Sequence, residues 1–121
     1  MTAGIHHFRI EQGTTWSRTL RLRQGTPAVA MDLTGYTVRS SIRKAAHSTA
    51  SMADFTCTLT DPADGTFTLS LTAAQTSALP TEGGSWDEPS RYAYDVEIVA
   101  PDGNVTRVLN GSIYVSPEVT R

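Results

Sequence analysis

Asp95 and Glu97 stand two positions apart in the run Tyr92-Ala-Tyr-Asp-Val-Glu-Ile-Val-Ala100. That run reads as a β-strand, so the two carboxyls share one face with their backbones about 7 Å apart. A carboxyl pair at such a separation can cleave a glycosidic bond, one member as acid and the other as base. No cleft-forming sequence surrounds it, and the plainer reading is the solvated face of a sheet. His6 and His7 are adjacent, so an extended strand turns them to opposite faces, and His47 stands alone in a loop. Zinc needs further ligands at a recognisable spacing, and the chain has none, so neither a metal nor any other cofactor is expected. Cys57 alternates with Phe55 and Leu59 and has no strongly basic neighbour, which makes it a buried, inert core thiol. No serine sits in a Gly-x-Ser-x-Gly elbow, and Gly83-Gly84 lacks the lysine of a phosphate-binding loop. The chain is not expected to be an enzyme.

Trp86, followed by Asp87, fits a binding role better, because an indole in a polar loop either folds inward or meets a partner. The candidate partner-binding residues are therefore Trp86 and Asp87 in the loop 81–90, His47 and Met52 in the loop 44–53, and Arg21 and Arg39. The last two belong to a set of arginines, Arg18, Arg21, Arg23, Arg39 and Arg43, that neighbouring strands could gather. A carbohydrate-binding module that stacks a sugar on Trp86 is the rival reading. Sugar platforms usually present two or three rings, whereas Trp86 is the one obvious loop aromatic.

The elements that must position these residues are strands. A chain of 121 residues is enough for one domain, 1–121, with a core that needs no staple. The formal charge of −2 gives no basic excess to suggest nucleic acid, and no apolar run is long enough for a signal peptide or a membrane span. A soluble product made in the cytoplasm is expected. Alternating runs predict strands over 5–10, 15–23, 36–43, 55–60, 66–71, 92–100 and 105–115, separated by turn clusters. Thr72-Ala-Ala-Gln75 matches a capping box, and Pro80 ends the helical run, so one short helix is expected near 72–79. The fold class is all-β: an antiparallel β-sandwich, Ig-like or a small partly open barrel, with one short helix.

The last third organises the rest. Pro101-Asp-Gly-Asn104 between two β-rich runs predicts a hairpin in which paired residue numbers sum to 205. Tyr92 then faces Ile113, Tyr94 faces Gly111, Val96 faces Leu109 and Ile98 faces Arg107. The other face, with Asp95 against Asn110 and Glu97 against Val108, should be wetter.

Taken together, the chain resembles a group of small structural proteins of tailed bacteriophages. The resemblance is carried by Gln12-Gly-Thr-Thr-Trp16 with Thr19-Leu-Arg-Leu22, then Asp32-Leu-Thr-Gly-Tyr-Thr-Val-Arg39 with Ile42-Arg43. It continues in Gly65-Thr-Phe-Thr-Leu-Ser-Leu-Thr-Ala-Ala-Gln-Thr76, Leu79-Pro80, Tyr94-Asp95, Pro101-Asp-Gly103, Val105-Thr-Arg107, Gly111 and Val115-Ser-Pro-Glu-Val-Thr-Arg121. It spans nearly the whole chain and is similar to the β-sandwich module found as a free-standing virion protein or at the N-terminus of baseplate and fibre-attachment proteins. The resemblance implies a virion component of the tail, baseplate or fibre-attachment region, with capsid cement or decoration as the close rival. Its implied partners are other virion proteins, within a symmetric homo-oligomer, and neither nucleic acid nor membrane. It brings no catalytic residue.

Overall fold

The computed structural model describes residues 4–24, 28–45, 47–48, 51–81 and 89–119. The strands are β1 (Gly4–Ile5), β2 (Phe8–Glu11), β3 (Trp16–Arg21), β4 (Arg23–Gln24), β5 (Val29–Ala30), β6 (Thr37–Arg43) and β7 (Ala53–Asp54). They continue as β8 (Thr56–Asp61), β9 (Thr66–Leu71), β10 (Ser90–Val99) and β11 (Val105–Ser116), with helix α1 (Ala73–Ser77) between β9 and β10. The larger sheet runs β1-β11-β10-β6-β7, and β2 also pairs with β11. The smaller runs β3-β9-β8, and β4 with β5 makes a separate ribbon. The chain is a β-sandwich, as expected, with the short helix where the capping box places it. Thr72 accepts from the Gln75 amide while the Gln75 side chain accepts from the Thr72 amide, so two orphan donors of the first turn are satisfied.

Period-two alternation drives the packing. In β9 every second residue, Phe67, Leu69 and Leu71, is essentially excluded from solvent, and in β10 the same holds for Tyr92, Tyr94, Val96 and Ile98. Each such side chain contributes roughly 1.5–3 kcal/mol through burial. Phe8 from the larger sheet, Trp16 from the smaller and Phe55 between them form a ring cluster with Tyr94, with centroids 5.2 to 6.3 Å apart. The Arg18 guanidinium lies 5.7 Å from the Phe8 ring and 5.8 Å from the Trp16 ring, closing the cluster from the solvent side.

The chain passes from the larger sheet to the smaller at two corners. At one, β2 leaves the larger sheet and residues 12–15 lead into β3 of the smaller. At the other, Phe55 still donates its amide to Ser40 O of the larger sheet, and the next residue, Thr56, already pairs with Ser70 of the smaller. The first corner is fixed by a hub of hydrogen bonds. Gln12 donates its side-chain amide to Leu79 O and accepts from the Glu118 amide, while its own backbone amide reaches Ser116 O. Beside it the buried Thr76 hydroxyl accepts from the Gly13 amide and lies within bonding distance of Thr14 O and Ala73 O.

Two pairings depart from expectation. β1 and β2 run parallel to β11, at a constant offset that pairs Gly4 with Leu109 and Phe8 with Ile113. In the β10–β11 hairpin, Tyr92–Ile113, Tyr94–Gly111 and Val96–Leu109 pair as predicted, but Glu97 pairs with Arg107 and Ile98 with Thr106. The expected partners Ile98–Arg107 and Glu97–Val108 are therefore wrong by one residue. The loop closes through Gly103, at φ +92°, with Ala100 and Asn104 bonded across it, which pairs Val99 with Val105. Gly111 must meanwhile lie opposite Tyr94, so one residue is surplus. Val108 takes it up as a bulge and, being apolar, turns inward to 6% exposure.

Candidate functional site

The outward side chains of β10, β6 and β11 meet in three rows fixed by register. Arg39, Glu97 and Arg107 form one row, Ser41, Asp95 and Asn110 the next, and Arg43, Ala93 and Ser112 the third. Alternation makes this face charged, and the cross-strand spacing of about 5 Å lets opposite signs meet. Arg39 Nε lies 2.8 Å from Glu97 Oε1 and Arg107 Nε lies 3.6 Å from Asp95 Oδ2. Arg91, one step beyond the third row, donates from Nε to Ser112 Oγ at 2.9 Å.

In the third row Ala93 and Ser112 are small, so the face is hollow there. The depression measures about 530 Å³ and reaches from Ile5 and His7 at the sheet edge across β11 and β10 to Arg43, Lys44 and Ala45. Among the described residues its lining includes the cations Arg43, Lys44, Arg91 and Arg107 and the carboxylate Asp95. Burial pushes the Asp95 carboxyl above the usual carboxylate range, and the Glu97 charge adds to the effect, while Arg107, Arg43 and Arg39 oppose it. Asn110 Oδ1 is buried here with no hydrogen-bond partner.

Asp95 and Glu97 do share a face, as their spacing requires. Each carries its own arginine, however, so neither carboxyl is presented alone to a substrate bond, and the arrangement suits ion pairing better than proton transfer. Among the described residues no three His, Cys, Asp or Glu side chains lie close enough together to hold a metal ion. Among those residues, too, no helix is long and apolar enough to cross a membrane.

The sequence-predicted contact residues are dispersed. Trp86 and Asp87 lie outside the described residues. His47 and Met52 are exposed beyond β6, and the Met52 amide is tied to Ile42 O. Arg21 lies on the smaller sheet, where it pairs with Asp64 at 2.7 Å, whereas Arg39 lies on the larger. Arg18, Arg21 and Arg23 thus do not join Arg39 and Arg43, because β3 and β6 belong to different sheets. Cys57 is half-buried rather than buried, since β8 is an edge strand of the smaller sheet; burial, and next the Asp54 charge, push its thiol up to about 11. Sequence reasoning missed Arg91 and Arg107. Arg91 has the parity of Asp95 and was legible in the alternation of β10; Arg107 was hidden by the bulge.

No family model matches the chain, and no curated protein matches it. Among solved structures, murine CRIg matches over 93% of this chain and 92% of its own, at 14% identity and a TM-score of 0.35, a likeness too weak to say anything about partners.

Proposed function

We propose that this chain is a non-enzymatic structural component of a tailed-phage virion, assembling with other virion subunits in the tail, baseplate or fibre-attachment region. One observation carries the reading: stretches on which the phage resemblance rests, far apart in sequence, meet in a single hub. Gln12-Gly-Thr14 touches Thr76 and Leu79 from the stretch 65–80 and Ser116 and Glu118 from the C-terminal stretch. Residues that hold three separated segments together specify a scaffold rather than a reaction, and a scaffold module is what the resemblance implies. The ion-paired outer face of the larger sheet supports the same reading, since it offers a partner charge and shape.

Mass spectrometry of particles from the source phage, separated into head and tail fractions, tests it. Enrichment with tails at a few to tens of copies supports the attachment role. Hundreds of copies with heads would make the chain a capsid cement instead, and absence from both fractions would overturn the virion reading.

A further inference from the structure

We propose that β3, an edge strand of the smaller sheet, pairs antiparallel with β3 of a second copy of this chain about a two-fold axis, Thr19 opposite Thr19. Such a contact involves this chain alone and does not depend on the virion assignment. Backbone bonding points to it first. The Leu22 amide donates to Gly65 O in the register of the β3–β9 ladder, so bonding alternates from there. Trp16, Arg18 and Leu20 turn their backbone groups to β9, and Ser17, Thr19 and Arg21 turn theirs to the open edge. Those three residues are exposed, and among the described residues no backbone group bonds to them from that side.

The other edge strands are protected. In β2 the Arg9 carbonyl already accepts from the Trp16 indole and the Glu11 carbonyl from Thr14, while β1, β4, β5 and β7 are two residues long. On the far side of the smaller sheet, β8 is bulged between Thr58 and Asp61. Short, capped and bulged edges resist pairing with another chain. Trp16–Arg21 has no proline, no lysine and no break in register.

Charge and bonding together select the register. Free groups must meet free groups, so odd-numbered residues of one copy face odd-numbered residues of the other. Ser17 opposite Thr19 would set Arg18 directly against Arg18 of the second copy, and Thr19 opposite Arg21 would engage only residues 19–21 of β3. With Thr19 opposite Thr19, Ser17 faces Arg21, Arg18 faces Leu20, and three pairs exchange two hydrogen bonds each. The Thr19 hydroxyl already bonds that of Thr68, which lies opposite Thr58 on β8, so the two-fold axis continues this threonine row from one copy into the next. A single shared edge is a small contact, and the pair belongs to the weak class.

Sedimentation velocity over a concentration series reaching about 1 mM reads the association, as a contact of this size requires. Thr19→Lys sets two like charges opposite each other and should weaken it at least about threefold, as should Thr19→Glu, while an equimolar mixture of the two variants should restore it. Thr58→Lys, on β8, should leave it unchanged. In a Cys57→Ser background, Thr19→Cys should oxidise to a disulfide dimer at least about tenfold faster than Ser17→Cys, because the α-carbons at 19 lie about 5.5 Å apart and those at 17 about 13 Å. A monomer throughout the series would overturn the proposal. So would equal oxidation of the two cysteine variants, which random collision explains, or loss of association in Thr58→Lys but not in Thr19→Lys, which would move the contact to β8. None of these outcomes touches the virion assignment, which the particle fractions decide.

Discussion

The Tyr94 hydroxyl donates to the carbonyl oxygen of His6, 2.6 Å away and 88 residues earlier in the chain. In an uninterrupted parallel ladder that carbonyl would accept from the Ser112 amide. The Ser112 amide goes instead to His7 Nδ1 at 2.9 Å, so the ladder between β1 and β2 is broken and both freed groups find side-chain partners. Gly111 permits the exchange, because a Cβ at that position would overlap the His6 carbonyl. Tyr94→Phe should therefore cost about 0.5–1.5 kcal/mol in chemical denaturation, the range for losing one hydrogen bond. A loss under about 0.3 kcal/mol would show that water replaces the phenol at no cost.

Gly65 and Gly103 both have positive φ, at +69° and +92°, but their surroundings differ. A Cβ on Gly65 would come within 2.6 Å of Met31 O and 2.7 Å of Leu22 O, whereas one on Gly103 meets nothing within 4 Å. Gly103→Ala should cost about 1 kcal/mol, the backbone penalty alone. Gly65→Ala should cost at least about 2 kcal/mol more, because the backbone carbonyls of Leu22 and Met31 must also move. Equal melting temperatures for the two variants would contradict that difference.

Thr76→Val keeps the shape of a fully buried side chain and removes its hydroxyl. The Gly13 amide and the Thr14 carbonyl then lose a partner inside the first corner, with an expected cost of about 1–3 kcal/mol. Thr72→Ala, which removes only an exposed helix cap, should cost about 1 kcal/mol. The reverse ranking in urea melts would mean the helix, not the corner, is the weaker element.

Cys57 should react slowly with a thiol reagent at neutral pH and accelerate as pH approaches its pKa of about 11. The unfolded thiol ionises near 9 and the folded one later, so between those values the native state holds more protons. The thiol's contribution to stability is thus fully present below pH 9 and declines as pH rises from 9 to 11. Comparing Cys57→Ser with the parent chain across that window isolates the effect: the parent's slope should be the steeper.

Local pattern made most of the sandwich legible. Alternation over 66–71 found a strand and over 92–99 also named the buried parity, and the Thr72 to Gln75 spacing found the helix, because each depends on neighbours within a few residues. What escaped depends on distant partners. Val108 bulges because the Gly103 loop and Gly111 each fix a register and the two disagree by one. The parallel pairing of β2 with β11 joins Phe8 to Ile113, a choice that nothing near Phe8 encodes. Arg91 and Arg107 flank the depression only once that pairing and that bulge are in place.

The parallel pairing governs how the molecule carries load. Residues near 4 begin one strand and residues near 119 lie just past the end of its neighbour, with β2 and β11 side by side and pointing the same way. Tension applied between the two ends pulls these strands past each other along their length. Every hydrogen bond between them, with the Gln12 hub at the end of the row, then resists in shear at once instead of peeling singly. A pull between β2 and β11 along their common direction therefore meets the whole ladder rather than its last bond.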